Sequence, residues 1–391
     1  MTTLATIAGI GQTAVGEHWS ISLRHLAWQA IEAALDDAAT NGLDALNEIE
    51  AVYVGNMLGG MSSQQDHLGA LVADYAGLRG VEAVTVEAAE ASGGAAVRQA
   101  VLAVMSGQIK VALAVGVEKA TDQTGSASLA SQTTSLDADF EVIHGATPAA
   151  MAGLMMRRYM HEYSVSLENF AGFSVNAHAN GALNERAMYR NKLRADKFAG
   201  APLVAEPVNL FDAAPVADGA AAVILISPAY AAELGLRNGV QVAGSSVVTA
   251  AFSLHDRDDV LWLEAVAESG RRALAQAGLA ADEMSLVELH DSFTIMSTLA
   301  LEALGLAERG RGWQLAQEGA IGRDGRLPLS TFGGLKARGN PLGATGVYQI
   351  VEAALQLRGQ ANGNQVANAH TALVQNVGGT GGTAVTHVLK G

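Results

Sequence analysis

The sequence predicts an α/β fold made of two copies of one strand–helix unit with a segment inserted between them, and three observations carry that expectation. Short apolar, β-branched runs alternate with longer stretches of helical period. A glycine turn, then a helix, then a strand recurs in the same order near residues 91–116 and near residues 333–374. Residues 126–205, between the copies, hold most of the polar loop material. Chance recurrence of a common βα pattern is the plainer explanation of the second observation.

In chain order, residues 4–15 (LATIAGIGQTAV) read as a strand entering a glycine turn. Leu23–Ala39 reads as a helix with Leu26, Ala27, Ala30, Ala33 and Ala34 on one face. Ala51–Gly55 and Ala83–Glu87 are strands. The run from Ala91 to Gly107 is a helix bounded by glycines, and Val111–Gly116 is a buried strand. The second half follows suit, with a helix over Leu261–Leu279 and a strand over Ser285–Leu289. A glycine-rich turn then leads into a helix ending at Gly359, and a strand over Thr371–Val374 follows. Strands apolar throughout, separated by helices, predict parallel pairing covered on both faces.

Composition excludes several functions. Among 391 residues, 49% are apolar and 16% charged, which is a globular rather than a disordered composition. The 44 glycines exceed the usual share of roughly 7%, pointing to tight turns and close backbone approaches. With 24 Lys+Arg against 39 Asp+Glu, the formal charge is −15, so nucleic acid and anionic membranes are not expected partners. There is no cysteine, hence no disulfide, no thiolate metal site and no thiolate nucleophile. The N-terminus lacks a basic, apolar signal pattern, and no stretch reaches the roughly 18 apolar residues of a membrane helix, so a soluble cytoplasmic chain is expected.

Four glycine-rich turns place special residues where backbone N–H groups can face a ligand. Glu90 lies at a strand-to-helix elbow, as a buried base or as a carboxylate favoured by a helix start. His290, flanked by Asp291, ends a second-half strand and could donate to an oxygen that gains charge; a structural histidine is the simpler alternative. Residues 333–346 (GGLKARGNPLGATG) are more elaborate than a plain connection needs. Residues 375–382 (QNVGGTGG) could offer N–H groups to an oxyanion. No phosphate loop or dinucleotide fingerprint is present, and His144, His161 and His178 lack metal-ligand spacing. Arg186, Arg190, Lys192, Arg194 and Lys197 form a basic cluster that could meet an anionic ligand or simply be a solvated face.

Six collinear segments resemble the thiolase superfamily, nearest to archaeal-type thiolases and the thiolase part of sterol carrier protein x. They are residues 87–101 (EAAEASGGAAVRQAV), 116–122 (GVEKATD), 214–225 (APVADGAAAVIL), 290–295 (HDSFTI), 333–346 and 375–389 (QNVGGTGGTAVTHVL). The resemblance implies a duplicated five-layer α-β-α-β-α architecture with an inserted loop domain. Its divisions would be residues 1–125, the loop domain at 126–205, the remainder of the first half at 206–250, and the second half at 251–391. It implies a coenzyme A thioester as substrate, no permanently bound cofactor, no metal, a homodimer and a small zinc-ribbon/OB-fold partner protein.

Three departures from the family pattern stand out. Glu90 occupies the place of the acyl-accepting cysteine, and Asn340 that of the activating histidine; Gln375 stands where near relatives often have histidine. An acyl carboxylate would be a mixed anhydride, far more reactive than a thioester, so ping-pong thiolysis is excluded. The chemistry that survives is retro-aldol cleavage of a β-hydroxyacyl-CoA. Glu90 would be the base, and His290, Asn340 and the Gly378 N–H would hold the thioester oxygen. Ser292 and Tyr348 are alternates for proton transfer, and the basic cluster is a candidate for the nucleotide end of coenzyme A. Acyl transfer without a covalent step and a non-catalytic acyl-CoA- or lipid-binding subunit are the alternatives. Met151, Met155, Met156 and Met160 suggest an adaptable apolar wall to the acyl site or core packing alike.

Overall fold

The computed structural model describes residues 3–236 and 239–391. Eleven strands occur among them: β1 (Ala5–Gln12), β2 (Ala51–Gly55), β3 (Glu82–Val86), β4 (Val111–Glu118), β5 (Leu203–Ala205), β6 (Val208–Asn209), β7 (Gly219–Ile226), β8 (Val240–Thr249), β9 (Leu286–Glu288), β10 (Thr371–Gly378) and β11 (Thr383–Lys390). Nine form one sheet in the order β3-β2-β4-β7-β1-β8-β11-β10-β9, while β5 and β6 make a separate hairpin. The halves join where Ala5–Ile7 of β1 pairs with Val240–Val242 of β8.

Five layers follow from where the apolar side chains go. On the outside of the first half, Leu26, Ala30 and Ile31 of the helix Leu23–Thr40 pack on Ala8, Leu113 and Ile224. The central layer is the helix pair Ser92–Met105 and Thr345–Leu357. Val97, Val101, Val347 and Ile350 meet Ile7 and Val223 from one half and Ala372 and Leu389 from the other. On the outside of the second half, helices Glu264–Ala277 and Thr294–Ala303 cover Leu373, Val377 and Val388. Each buried Leu, Ile or Val contributes about 1.5–3 kcal/mol, so the layers are held mainly by burial.

The two central helices cross at their first turns, where side chains are missing. A Cβ on Gly346 would stand 2.2 Å from Gly94 N, and one on Gly93 would stand 2.8 Å from Gly343 O. Real Cβ atoms do not approach so closely, so only glycine permits this crossing.

The expectation of parallel pairing is corrected. Only β2–β3, β2–β4 and β9–β10 are parallel, whereas β4–β7, β1–β7, β1–β8, β8–β11 and β10–β11 are antiparallel. A continuous apolar run reports burial on both faces and says nothing about strand direction. Residues 126–205 are also more helical than their polar composition suggests, with helices at Gly125–Gln132, Pro148–Tyr163 and Ala171–Gly181. No helix among the described residues is long and apolar enough to cross a membrane.

Candidate active site

The first reactive side chain sits on a strained elbow. Between β3 and the helix Ser92–Met105, Ala89 takes φ 52, a conformation that costs a residue with a Cβ. The turn is locked on both sides. Ala89 N donates to Glu87 Oε1 at 2.6 Å, while Ser92 Oγ accepts from Ala88 N at 2.9 Å and donates to Ala89 O at 2.5 Å. Glu90 thereby turns inward, only 8% exposed. Its Oε2 accepts from Gly379 N at 2.7 Å. Burial pushes its carboxyl above the ordinary value, while the N–H of Gly379, its own N–H and the Ser135 hydroxyl pull the other way.

The second is His290, just past β9. Asn376 on β10 accepts from Gly94 N through Oδ1 at 3.4 Å, which turns its amide nitrogen towards the imidazole. Asn376 Nδ2 donates to His290 Nδ1 at 2.9 Å. An amide nitrogen can only donate, so the ring proton resides on Nε2. Burial, with the Arg338 charge behind it, holds His290 down at about 3, and the ring is neutral at physiological pH. His290 is thus a fixed N–H donor. Asp291 points elsewhere, with Oδ1 accepting from Leu335 N at 2.8 Å.

The third is Asn340, on the turn entering the helix Thr345–Leu357. Backbone bonds to Pro215 O at 2.9 Å and from Ala217 N at 3.0 Å hold it against the first half. Its Oδ1 accepts from Leu342 N at 3.1 Å and Thr345 Oγ1 at 3.2 Å. Both side-chain bonds of Asn340 thus fall on Oδ1, and Nδ2 makes none to the described residues. Beneath this turn Arg338 and Glu352 form a buried ion pair at 2.7 Å.

Glu90, His290 and Asn340 line one cavity, together with Ser292, Gln132, Ser135, Gly379 and Thr380. Leu136, Pro148, Ala152, Met155, Phe293 and Met296 supply its apolar side. Of the four methionines singled out from the sequence, only Met155 reaches this wall; Met151 and Met156 are core, and Met160 packs at its edge.

Three expectations fall elsewhere. Gly379, not Gly378, donates into the site, because Gly378 completes β10 and packs where a Cβ would stand 2.4 Å from Ala88 O. Tyr348 is off the cavity wall, fully buried with its hydroxyl 2.9 Å from Thr13 Oγ1. Arg186, Arg190, Lys192 and Arg194 are exposed and outside the wall. Their segment nonetheless runs beside the Asn340 turn, with Met188 N and Tyr189 N each 2.9 Å from Arg338 O and Ala337 O respectively. Ser135, Gln132 and Thr380 escaped sequence reasoning: the first two belong to no motif, and Thr380 lies within residues 375–382 without a signal of its own.

A duplicated α/β frame, with reactive side chains on the turns entering two crossed central helices, is the architecture of the thiolase class. Residues 5–229 match the thiolase N-terminal domain and residues 246–391 the thiolase C-terminal domain-like model, so the chain belongs to the thiolase family of acyl-CoA enzymes. It is 40% identical over 384 residues to the acetyl-CoA acetyltransferase of Methanothermobacter thermautotrophicus, covering 98% of each chain. It is 30% identical over 364 residues to the benzoylsuccinyl-CoA thiolase subunit BbsB of Thauera aromatica, covering 92% of this chain and 90% of that one. Among solved structures, the Ltp2-ChsH2(DUF35) aldolase has the same fold, with a TM-score of 0.83 at 24% identity over 99% of this chain and 97% of the other.

Proposed function

We propose that the chain is a carbon–carbon lyase that cleaves a β-hydroxyacyl-CoA by retro-aldol chemistry. The observation that carries this reading is the place of the Glu90 carboxylate. It accepts the Gly379 N–H and faces a cavity shared with two neutral donors, His290 Nε2–H and Asn340 Nδ2–H. With Gly379 committed to Glu90, the thioester oxygen falls to His290 and Asn340.

Each group then has one task. Glu90, ionised, takes the proton of the β-hydroxyl. The Cα–Cβ bond breaks, Cβ becomes the carbonyl carbon of a released aldehyde or ketone, and the electron pair passes into the thioester as an enolate. The enolate oxygen is held by the His290 and Asn340 donors, which need no reorganisation as charge develops. Glu90 returns its proton to Cα, completing an acyl-CoA shortened by the released fragment. With no cysteine in the 391 residues, an acyl-cysteine intermediate is not available. Ser292, also on the wall, is the remaining alternate for proton transfer.

The exposed arginines and Lys192 beside the Asn340 turn are assigned to the nucleotide end of coenzyme A. Unchanged coenzyme A affinity after Arg190→Ala with Lys192→Ala would remove that assignment. A homodimer and a small zinc-ribbon/OB-fold partner belong to the same reading. Among the described residues β3 is a sheet edge, with Val84 43% exposed, and the structure of the same fold is the Ltp2-ChsH2(DUF35) aldolase.

The test is incubation of the protein, alone and with a candidate partner, with β-hydroxyacyl-CoAs of graded size. Release of a carbonyl compound together with a shortened acyl-CoA, abolished by Glu90→Ala, supports lyase action. No carbonyl product with any substrate, and no effect of Glu90→Ala, overturns it. Direct acyl transfer between two acyl-CoAs is the second reading, favoured by the relative named acetyl-CoA acetyltransferase. Its signature is coenzyme A release that requires a second acyl substrate.

A further inference from the structure

The turn that offers Gly379 N–H to Glu90 is itself braced from behind. Arg257 donates from Nη2 to Thr380 Oγ1 at 3.0 Å, and Thr380 lies on the cavity wall. The guanidinium therefore stands one hydroxyl away from the reaction space. It packs beside Gly381, whose φ of 110 is a conformation that favours glycine; a Cβ there would meet Nη2 at 3.6 Å and Nη1 at 3.7 Å, ordinary contact distances.

The placement is costly. Nη1 is buried without an acceptor among the described residues, and buried donors are ordinarily satisfied. Burial also draws the guanidinium below its ordinary value, with the Glu141 charge opposing that shift.

We infer that Arg257 is a positioning residue that clamps the Gly378–Gly381 turn through Thr380, so that the Gly379 N–H stays on the Glu90 carboxylate. The inference rests on the reading of Glu90 as the base. Its links are continuous: Arg257 Nη2 to Thr380 Oγ1 at 3.0 Å, Gly381 N to Gly378 O at 3.2 Å across the turn, and Gly379 N to Glu90 Oε2 at 2.7 Å. Loosening the clamp takes a donor away from the charged form of Glu90, so the carboxyl holds its proton to higher pH. Of charged or titratable groups, Glu87 on its own turn and His290 across the cavity face Glu90; its other neighbours there are neutral. Arg257 is faced by Glu141, and by Asp256, Asp258, Asp259 and Glu264 around the adjoining surface cleft.

Three variants separate the clamp from a through-space charge. Thr380→Val cuts the link and keeps the cation, Arg257→Gln removes the cation, and Arg257→Lys restores a cationic donor. Two readouts are taken on the full chain. One is the low-pH limb of kcat/KM. The other, independent of turnover, is the pH dependence of the difference in thermal midpoint between each variant and the same variant carrying Glu90→Gln. The clamp predicts that Thr380→Val and Arg257→Gln both move the limb and the midpoint difference upward by about one pH unit, a ten-fold rise in proton affinity. KM stays within about two-fold, and Arg257→Lys lies nearer the parent, as a preserved cationic donor should. An unmoved limb and midpoint difference in Thr380→Val overturn the clamp, as does a shift confined to Arg257→Gln. If Glu90→Gln keeps full turnover, the base reading fails, while the midpoint difference still reports on the clamp.

Discussion

The turn entering the helix Ser92–Met105 and the turn entering the helix Thr345–Leu357 hold corresponding places in the two halves, yet they deliver opposite chemistry. Both bend through a residue with a Cβ at positive φ, Ala89 at 52 and Leu342 at 37. The first presents Glu90, a carboxyl whose charge can change and whose neighbours contend over it. The second presents Asn340, whose oxygen is consumed inside its own turn and whose nitrogen is a dipole of fixed sign. Duplication supplied the geometry twice. On the proposed lyase reading, one copy carries the base and the other, together with His290, the contact to the developing oxyanion.

The comparison is broken most severely by Glu90→Gln, which keeps the shape and removes the base. Turnover of a β-hydroxyacyl-CoA should fall about 10²–10⁴-fold, the usual worth of a general base, in a steady-state assay of carbonyl release. Next comes His290→Ala. Losing one donor to the enolate should cost about 10²–10³-fold in kcat with a near-native circular dichroism spectrum. Asn340→Asp sharpens the contrast between the turns, because the acceptor to Leu342 and Thr345 survives while the donor is lost. A reduction of about 10²-fold is expected, and full retained activity would show that the second turn supplies no oxyanion contact.

The remaining two tests read stability. Gly346→Ala gains roughly 1 kcal/mol of helix propensity but drives a methyl onto Gly94 N, 2.2 Å away. Overpacking at such a backbone contact costs about 3 kcal/mol, so a net loss is expected in denaturant unfolding. The smallest effect is a gain. A raised carboxyl in the folded state stabilises fully below its unfolded value, and that contribution is lost as pH rises through the folded value. Glu90→Gln cannot ionise, so its thermal midpoint should exceed the parent's by a growing margin as pH rises from about 4. The low-pH limb of activity should likewise lie above the ordinary carboxylate range. His290 contributes no limb near neutrality, because it is already neutral down to about 3.

What could be read in advance was whatever is encoded locally. The strand Ala51–Gly55 matches its expectation residue for residue, and the central helices start and stop within a few residues of their glycines. Glu90 and Asn340 were visible because each interrupts a motif that is otherwise regular, and His290 because it stands at a strand end beside Asp291. Strand direction was not visible, since burial on both faces imposes the same apolar run on β7 and β11 as on β2. Tyr348 looked available near the start of a helix, but the contact that buries it against Thr13, just past β1, joins residues 335 positions apart. The backbone N–H that enters the site was placed one residue early, and on a different acceptor, because a strand end and a turn start cannot be distinguished in a glycine run. Ser135 and Arg257 reach the site only through tertiary contacts and carry no periodicity or spacing of their own.

The glycine crossing has a consequence for when this molecule becomes competent. Glu90 comes from one half, and His290, Asn340 and Gly379 come from the other, so the reaction space is a seam rather than a pocket carved in either half. It closes only when two helix starts settle into each other at backbone contact. A chain with one half formed and the other still searching would carry every reactive side chain and no workplace, and would be silent until the halves meet.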